Sequence, residues 1–286
     1  RFLSPSAIKG QEAIVDTQGS IGGFEYSDAY LHDNDARFVF NFVRTSLNYG
    51  AMVANYVESQ GARRENGVWV TRARNVMNGD TFEIRAKVLI NAAGPWADQH
   101  NALTGQQTQH QHAYSKGIHR IVPRLTDSKR VLAFFADDGR LFFVIPMGQR
   151  TCIGTTDTRM EKPEVHVTDE DTQFVLDNIN KRLELDNPLG RNDIIATRCG
   201  VRPLAIKTSA GGGRDFLQLS RKHAIDTDDA EAHISIFGGK LTDCLNVGEE
   251  IVDEVKRLGV SVPYPDYRWY GEPSESVKEE FLHQAE

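Results

Sequence analysis

The sequence is poor in cysteine, in long apolar runs and in excess charge, and each shortage excludes something. Three cysteines occur in 286 residues, Cys152, Cys199 and Cys244. They are widely spaced and odd in number. They offer neither a metal-ligand spacing nor a disulfide framework, which fits a reducing cytoplasm, and no metal site is expected. No apolar run approaches the ~20 residues that cross a bilayer as a helix, and no secretory leader is visible. The net charge of −7 argues against a nucleic-acid groove. Internal repeats and low-complexity tracts are missing too. The most telling absence is a G-x-G-x-x-G turn between a strand and a helix, which brings a backbone close to a pyrophosphate at a helix N-terminus. Gly211-Gly212-Gly213 is no substitute. A charged, strand-like run follows it, so it reads as a hairpin loop.

What is present is a folded body. Hydrophobic residues make up 40 % and charged residues 26 %, near globular averages, which excludes wholesale disorder. The length suits one large domain or two ordinary ones. Ala36, Val39, Phe40, Val43 and Leu47 recur at helical spacing, predicting a helix over 33–49 with Asp33 as N-cap and Gly50 as stop. Strands are expected over 52–57, 68–75 and 81–90, the turns falling at Glu65-Asn66-Gly67 and Asn78-Gly79-Asp80. A second region starts near His112, with β-branched and aromatic runs over 118–123, 131–135, 141–146 and 151–154. That pattern reads as an antiparallel meander. A helix is expected over 169–185, then strands over 194–202, 216–220 and 233–237, and a closing helix over 241–258. The last residues, 272–286, are highly charged and read as a severed helix.

The chemistry concentrates in Phe237-Gly238-Gly239-Lys240-Leu241-Thr242, with Gly200-Val201-Arg202-Pro203-Leu204 ahead of it. A β-rich run ends in two glycines and a lysine, and helical spacing follows at once. Glycines let a backbone approach a ligand closely. The free amides of a helix start attract electron-rich groups. With Lys240 and Arg202 nearby, the arrangement suits the pyrimidine edge of a flavin, which gains negative charge on reduction.

Eight motifs in order along nearly the whole chain carry a resemblance. They are Tyr26-Ser-Asp, Asp35-Ala-Arg37, Asn91-Ala-Ala-Gly94-Pro-Trp96, Lys116-Gly-Ile-His119, Ile153-Gly-Thr-Thr-Asp157, Gly200-Val-Arg202-Pro-Leu, Ser220-Arg221 and Phe237-Gly-Gly-Lys240-Leu-Thr. The chain resembles the middle and later part of the FAD-dependent glycerol-3-phosphate dehydrogenases. The family usually has Ser where Ile118 stands. The resemblance implies an α/β (α+β) fold, divided into a partial FAD-binding body over 1–111, a substrate domain with an antiparallel sheet and flanking helices over 112–236, and a return to the FAD-binding body over 237–286. It implies oxidation of sn-glycerol 3-phosphate to dihydroxyacetone phosphate, with FAD taking the hydride and membrane quinone the electrons. An oxidase variant would pass them to oxygen, and the sequence does not separate these acceptors. His119 is implied as the proton-abstracting residue, Arg202 and Arg221 as substrate ligands, and Lys240 as a catalytic cation. Gly94, Pro95, Trp96, Gly238, Gly239, Lys240, Leu241 and Thr242 are implied on the cofactor. Because the family's opening turn is missing and Arg1 enters in mid-element, a fragment is expected, inactive alone and holding FAD weakly or not at all. The resemblance also implies a cytoplasmic protein, peripheral on the inner face of the membrane. A homodimer is allowed.

Each assignment has a plainer rival. Arg202 could form a salt bridge, His119 could be a satisfied core histidine, Lys240 could cap a loop, Trp96 could be core, and Asp157 a turn residue. Two other classes stay open: a related flavin amine or amino-acid oxidase, if Arg202 binds a carboxylate, and a non-catalytic substrate-binding fragment.

Overall fold

The computed structural model describes residues 1–28, 31, 35–208 and 222–264, together with positions 276, 279 and 283. Arg221, Ser220, Asp33, the 211–213 loop, the 216–220 strand and most of the charged tail lie outside these residues. The described elements are, in chain order, β1 (Phe2–Leu3), α1 (Pro5–Gln11), β2 (Gly23–Phe24), α2 (Asp35–Asn48), β3 (Val57–Glu65), β4 (Val68–Asn75), β5 (Thr81–Ala86), β6 (Leu89–Asn91), α3 (Ala97–Leu103), β7 (His110–Pro123), β8 (Leu132–Phe135), β9 (Leu141–Met147), β10 (Arg150–Gly154), β11 (Thr158–Met160), α4 (Asp169–Arg182), β12 (Ala196–Lys207), β13 (His223–Asp228), β14 (His233–Gly238) and α5 (Cys244–Arg257). The mixture of helices and antiparallel sheets is the α/β (α+β) class read from the sequence.

Two compact units form. One comprises Arg1–Tyr26 with Val88–Ile251, the other Ser27–Lys87 with Val252–Glu286. The role-based boundaries at 111/112 and 236/237 fall inside β7 and β14. In the second unit, β3, β4 and β5 make an antiparallel sheet. Its hairpin turns at Asn66 and Gly67, both at positive φ. That turn sets the register, Glu65 opposite Val68 and Val57 opposite Asn75. The strand expected over 52–57 is therefore corrected to Val57–Glu65, because a partner for β4 must lie directly before the turn. Met52 is left fully exposed.

The second unit also holds α2 and the later part of α5, and the first holds the remaining elements. β12 and β7 pair antiparallel along twelve residues, from Ala196–Ile121 to Lys207–His110. On its other edge β7 pairs with β10 over 119–123 and with β11 over 114–116, and β10, β9 and β8 follow in order. Successive residues of a strand point to opposite faces. On one face Ile118, Val122, Phe142, Val144 and Ile153 form the core with Val175 and Ile179 of α4. Thr168 caps α4 with a reciprocal box. The Thr168 hydroxyl accepts from the Asp171 amide, and the Thr168 amide donates to the Asp171 carboxylate, which satisfies two helix-end donors. The helix ends at Arg182, short of the expected 185, because Leu183 leaves to bridge with Val15.

A smaller sheet runs β13-β14-β6, with β14 parallel to β6 and antiparallel to β13. The single strand expected over 81–90 is thus two, β5 and β6, in different sheets. The helices α1 and α3 and the strand β13 were not expected. The closing helix begins at Cys244, after a 3-10 turn over Leu241–Asp243. Among the described residues no helix is long and apolar enough to cross a membrane.

Candidate functional site

β7 and β12 place the first half of the site. Cross-strand partners share a face, so the register groups Ser115, Gly117 and His119 of β7 with Arg202, Gly200 and Arg198 of β12. The two glycines stand opposite one another and add no side chain of their own to the middle of this face. The other edge of β7 is interrupted here. β10 ends at Gly154, opposite His119, and pairing resumes only at Thr158. The intervening residues, 155–157, leave the ladder and supply polar groups instead. Thr156 Oγ1 accepts the Ile118 amide at 3.1 Å. Thr155 Oγ1 accepts from Arg202 Nη2 at 2.9 Å, and the Thr156 carbonyl accepts from Nη1 at 3.4 Å. Asp157 accepts the Ser115 hydroxyl. Gly154 sits at φ +142°, and a Cβ there would fall 2.6 Å from the Ile118 carbonyl, so only glycine lets the chain turn out beside His119.

His119 is half-buried. Burial pushes its imidazole below the ordinary pKa, and the positive Arg202 and Arg198 push it further. It is therefore neutral near pH 7, the form that accepts a proton.

The second half lies where β6 and β14 end. The two strands run parallel, with Ser235 opposite Asn91, so residues 91–96 and 238–242 emerge at the same carboxyl edge. That is the edge where open α/β sheets bind ligands. Asn91 organises its loop by donating to the Ala97 carbonyl at 2.9 Å and to Asn101 Oδ1 at 2.7 Å, while accepting the Ala93 amide. Gly94 takes φ +56° and Pro95-Trp96 a 3-10 turn. Trp96 is 52 % exposed, so it is not core. Gly238 and Gly239 take φ +64° and +88°. The Gly238 amide donates to His112 Nε2 at 3.2 Å. Nδ1 of His112 faces Asp98 Oδ2 at 3.2 Å, without the alignment of a full hydrogen bond. Asp98 also accepts the His112 amide and the Tyr114 hydroxyl. Lys240 is exposed at the start of the 3-10 turn. The two halves share β12: Ala205, three residues past Arg202, lies against Gly238, since a Cβ on Gly238 would meet its Cβ at 3.1 Å.

A family model described as FAD dependent oxidoreductase matches residues 1–221. The chain belongs to that family. Among FAD-dependent oxidoreductases it is 30 % identical over 264 residues to the mitochondrial glycerol-3-phosphate dehydrogenase of Bos taurus, covering 88 % of this chain and 35 % of that protein. It is 32 % identical over 263 residues to the aerobic glycerol-3-phosphate dehydrogenase of Bacillus subtilis (strain 168), covering 89 % of this chain and 45 % of that protein. The crystal structure of a glycerol-3-phosphate dehydrogenase from Bacillus halodurans complexed with FAD superimposes with a TM-score of 0.79 at 26 % identity, covering 99 % of this chain and 55 % of that one. The chain thus spans less than half the length of these two curated relatives.

Of the residues singled out from sequence, the fold gathers His119 and Arg202 on one sheet face, and Gly94, Pro95, Trp96, Gly238, Gly239, Lys240, Leu241 and Thr242 at one sheet edge. Arg221 lies outside the described residues. Sequence reasoning missed Arg198, Ser115 and Thr155. Arg198 and Ser115 had a usable signal: each is two strand positions from a glycine of the facing pair. Thr155 had only its motif.

Proposed function

We propose that this chain carries the substrate side of an FAD-dependent oxidation of sn-glycerol 3-phosphate to dihydroxyacetone phosphate. The observation that carries the reading is His119 and Arg202 on one sheet face around a patch bared by glycine. The curated relatives named above point to the same substrate. Arg202 fits the phosphate, because a planar guanidinium fork bonds phosphate bidentately and stays charged. Arg221 is proposed as a second phosphate ligand. His119 accepts the proton of the secondary hydroxyl on a ring nitrogen, leaving the C–O bond to become the ketone as the hydride departs.

The residues of the second half fit a flavin. Glycines at positive φ bring backbone to the open edge of two parallel strands, and a Cβ on Gly94 would meet nothing within 4 Å. We assign residues 94–96 and 238–242 to the isoalloxazine side. When bound, FAD supplies the hydride acceptor. Lys240 places a cation at that edge, where negative charge would otherwise be uncompensated. A quinone at the inner face of the cytoplasmic membrane is the proposed electron acceptor. With no G-x-G-x-x-G turn to hold the pyrophosphate, this chain alone is proposed to hold FAD weakly.

The test is a titration of the chain with glycerol 3-phosphate and with glycerol. The ester should bind at least ten-fold more tightly, and Arg202→Lys should remove about ten-fold of that, since charge-assisted bonds are worth roughly 1.5–3 kcal/mol each. Equal affinity of wild type and Arg202→Lys for the ester would reduce Arg202 to a structural residue.

A further inference from the structure

Gly117 of the Lys116-Gly117-Ile118-His119 run does more than leave a patch bare. Gly117 lies in the interior of the fourteen-residue strand β7 and is buried. A glycine there weakens a strand, through lost packing and a larger entropy loss on folding. Backbone conformation does not require it, since neither Gly117 nor its cross-strand partner Gly200 has positive φ. What remains is space, and the two glycines differ in how it is used. A Cβ on Gly200 would meet nothing within 4 Å. A Cβ on Gly117 would fall 2.5 Å from Arg202 Nη1 and 2.6 Å from its Cζ. The Arg202 guanidinium occupies the place of the missing side chain.

We propose that Gly117 is a positioning residue that seats the Arg202 guanidinium against the sheet. Thr155 Oγ1 and the Thr156 carbonyl complete the seat from the interrupted edge of β7. The physical gain is preorganisation. A free arginine side chain loses rotamer entropy when it grips a ligand, and one already held loses less. The open space over Gly200 leaves the neighbouring patch accessible to an anion. The naming of that anion as the phosphate of glycerol 3-phosphate rests on the proposed function, whereas the seat itself does not.

The seat is tested by a double-mutant cycle read by urea unfolding of the chain: wild type, Gly117→Ala, Arg202→Ala and the double variant. With Arg202 present, the new methyl must push the guanidinium away, so Gly117→Ala should lower the unfolding midpoint. With Arg202 removed, the methyl fills vacated space in a strand, and the same substitution should raise the midpoint. Gly200→Ala, tested likewise, should show no coupling to Arg202→Ala. Additive effects of Gly117→Ala in both backgrounds would overturn the seat. If Gly117→Ala fails to fold, recovery in the double variant supports the seat, and failure of both overturns it. The second readout is binding of glycerol 3-phosphate. Gly117→Ala should weaken it at least ten-fold relative to wild type. Coupling in the cycle with unchanged affinity would overturn the positioning role. If wild type itself does not bind the ester, the proposed function fails, and the cycle still decides the seat.

Discussion

Lys116 and Arg202 are both cations of the same ladder, one on β7 and one on β12, and they face opposite ways. Lys116 is 4 % exposed and points to α4. Its Nζ lies 2.5 Å from Asp171 Oδ2 and donates to the His166 carbonyl at 3.3 Å. Four residues on, Arg120 donates to the Thr197 and Thr172 hydroxyls. On this face charge is closed off by the fold. On the other, Arg202 and His119 are half-buried, Arg198 is exposed, and glycines stand between them. Strand alternation alone separates the two uses: within Lys116-Gly-Ile-His119, odd positions serve the candidate site and even ones serve the core. Closeness in sequence to His119 is no reason to put Lys116 in the site.

Replacing one residue on each face should break the comparison if it is wrong. The largest effect is expected on the open face. If the proposed function holds, His119→Asn should slow flavin reduction by glycerol 3-phosphate roughly 10²- to 10⁴-fold in an intact enzyme carrying these residues, the usual worth of a positioned base. It should also remove the limb of the pH–rate profile that reports the base, while the ester still binds through Arg202. Stopped-flow reduction across pH is the measurement. An unchanged rate and profile would make His119 structural. On the closed face, Lys116→Met strands the buried Asp171 carboxylate without its partner. The expected cost is about 3–5 kcal/mol of stability, read by urea unfolding. Adding Asp171→Asn should recover part of it. A Lys116→Met protein that keeps its stability but loses affinity for the ester would put Lys116 in the site and collapse the contrast.

The same alternation explains what the sequence showed and what it hid. The apolar end of β7 was expected over 118–123, but its first eight residues were not. Most are polar or glycine: His110, His112, Ser115, Lys116 and Gly117 among them. Their burial makes sense only with partners remote in sequence, Asp226, Asp98, Asp157 and Asp171. The helix α1 had a legible start, Ser4 capping with Pro5 behind it, but at seven residues its periodicity was too short to register. The site divides in the same way. Gly238 and Gly239 could be read because a turn with positive φ asks for glycine. The roles of Thr155 and Asp157 depend on where β10 stops pairing with β7, which is a property of three strands together.

The contrast between closed and open positions extends to the histidines, and pH sharpens it. His233, 1 % exposed, is pushed down to about 4, first by burial and then by the nearby His100, itself lowered by burial. His119 is lowered as well, but beside two arginines on the open face. For His233 the unfolded chain takes a proton below about 6.5 and the folded protein only below about 4. The unfolded state therefore binds more protons in that window, and stability falls as the pH falls through it. The contribution is complete above 6.5 and lost by about 4. At 1.36 kcal/mol for each pKa unit it amounts to about 3 kcal/mol. His100 and His119 act with the same sign. His223 acts with the opposite sign and in another range. Burial opposes its protonation, but hydrogen bonds to Asp243 and Glu250 outweigh that and raise its pKa. Its contribution is full below 6.5 and is lost as pH rises through the raised value. The carboxylates of Asp98 and Asp171, both held below the usual value, weaken the fold only in stronger acid. Urea unfolding between pH 7 and pH 4 should thus show a steady loss of stability, and His233→Gln should flatten most of it. His119→Asn should flatten less, because its lowering comes partly from arginines it can escape by reaching solvent. If the two substitutions flatten the curve equally, His119 is as enclosed as His233, and the open face is not open.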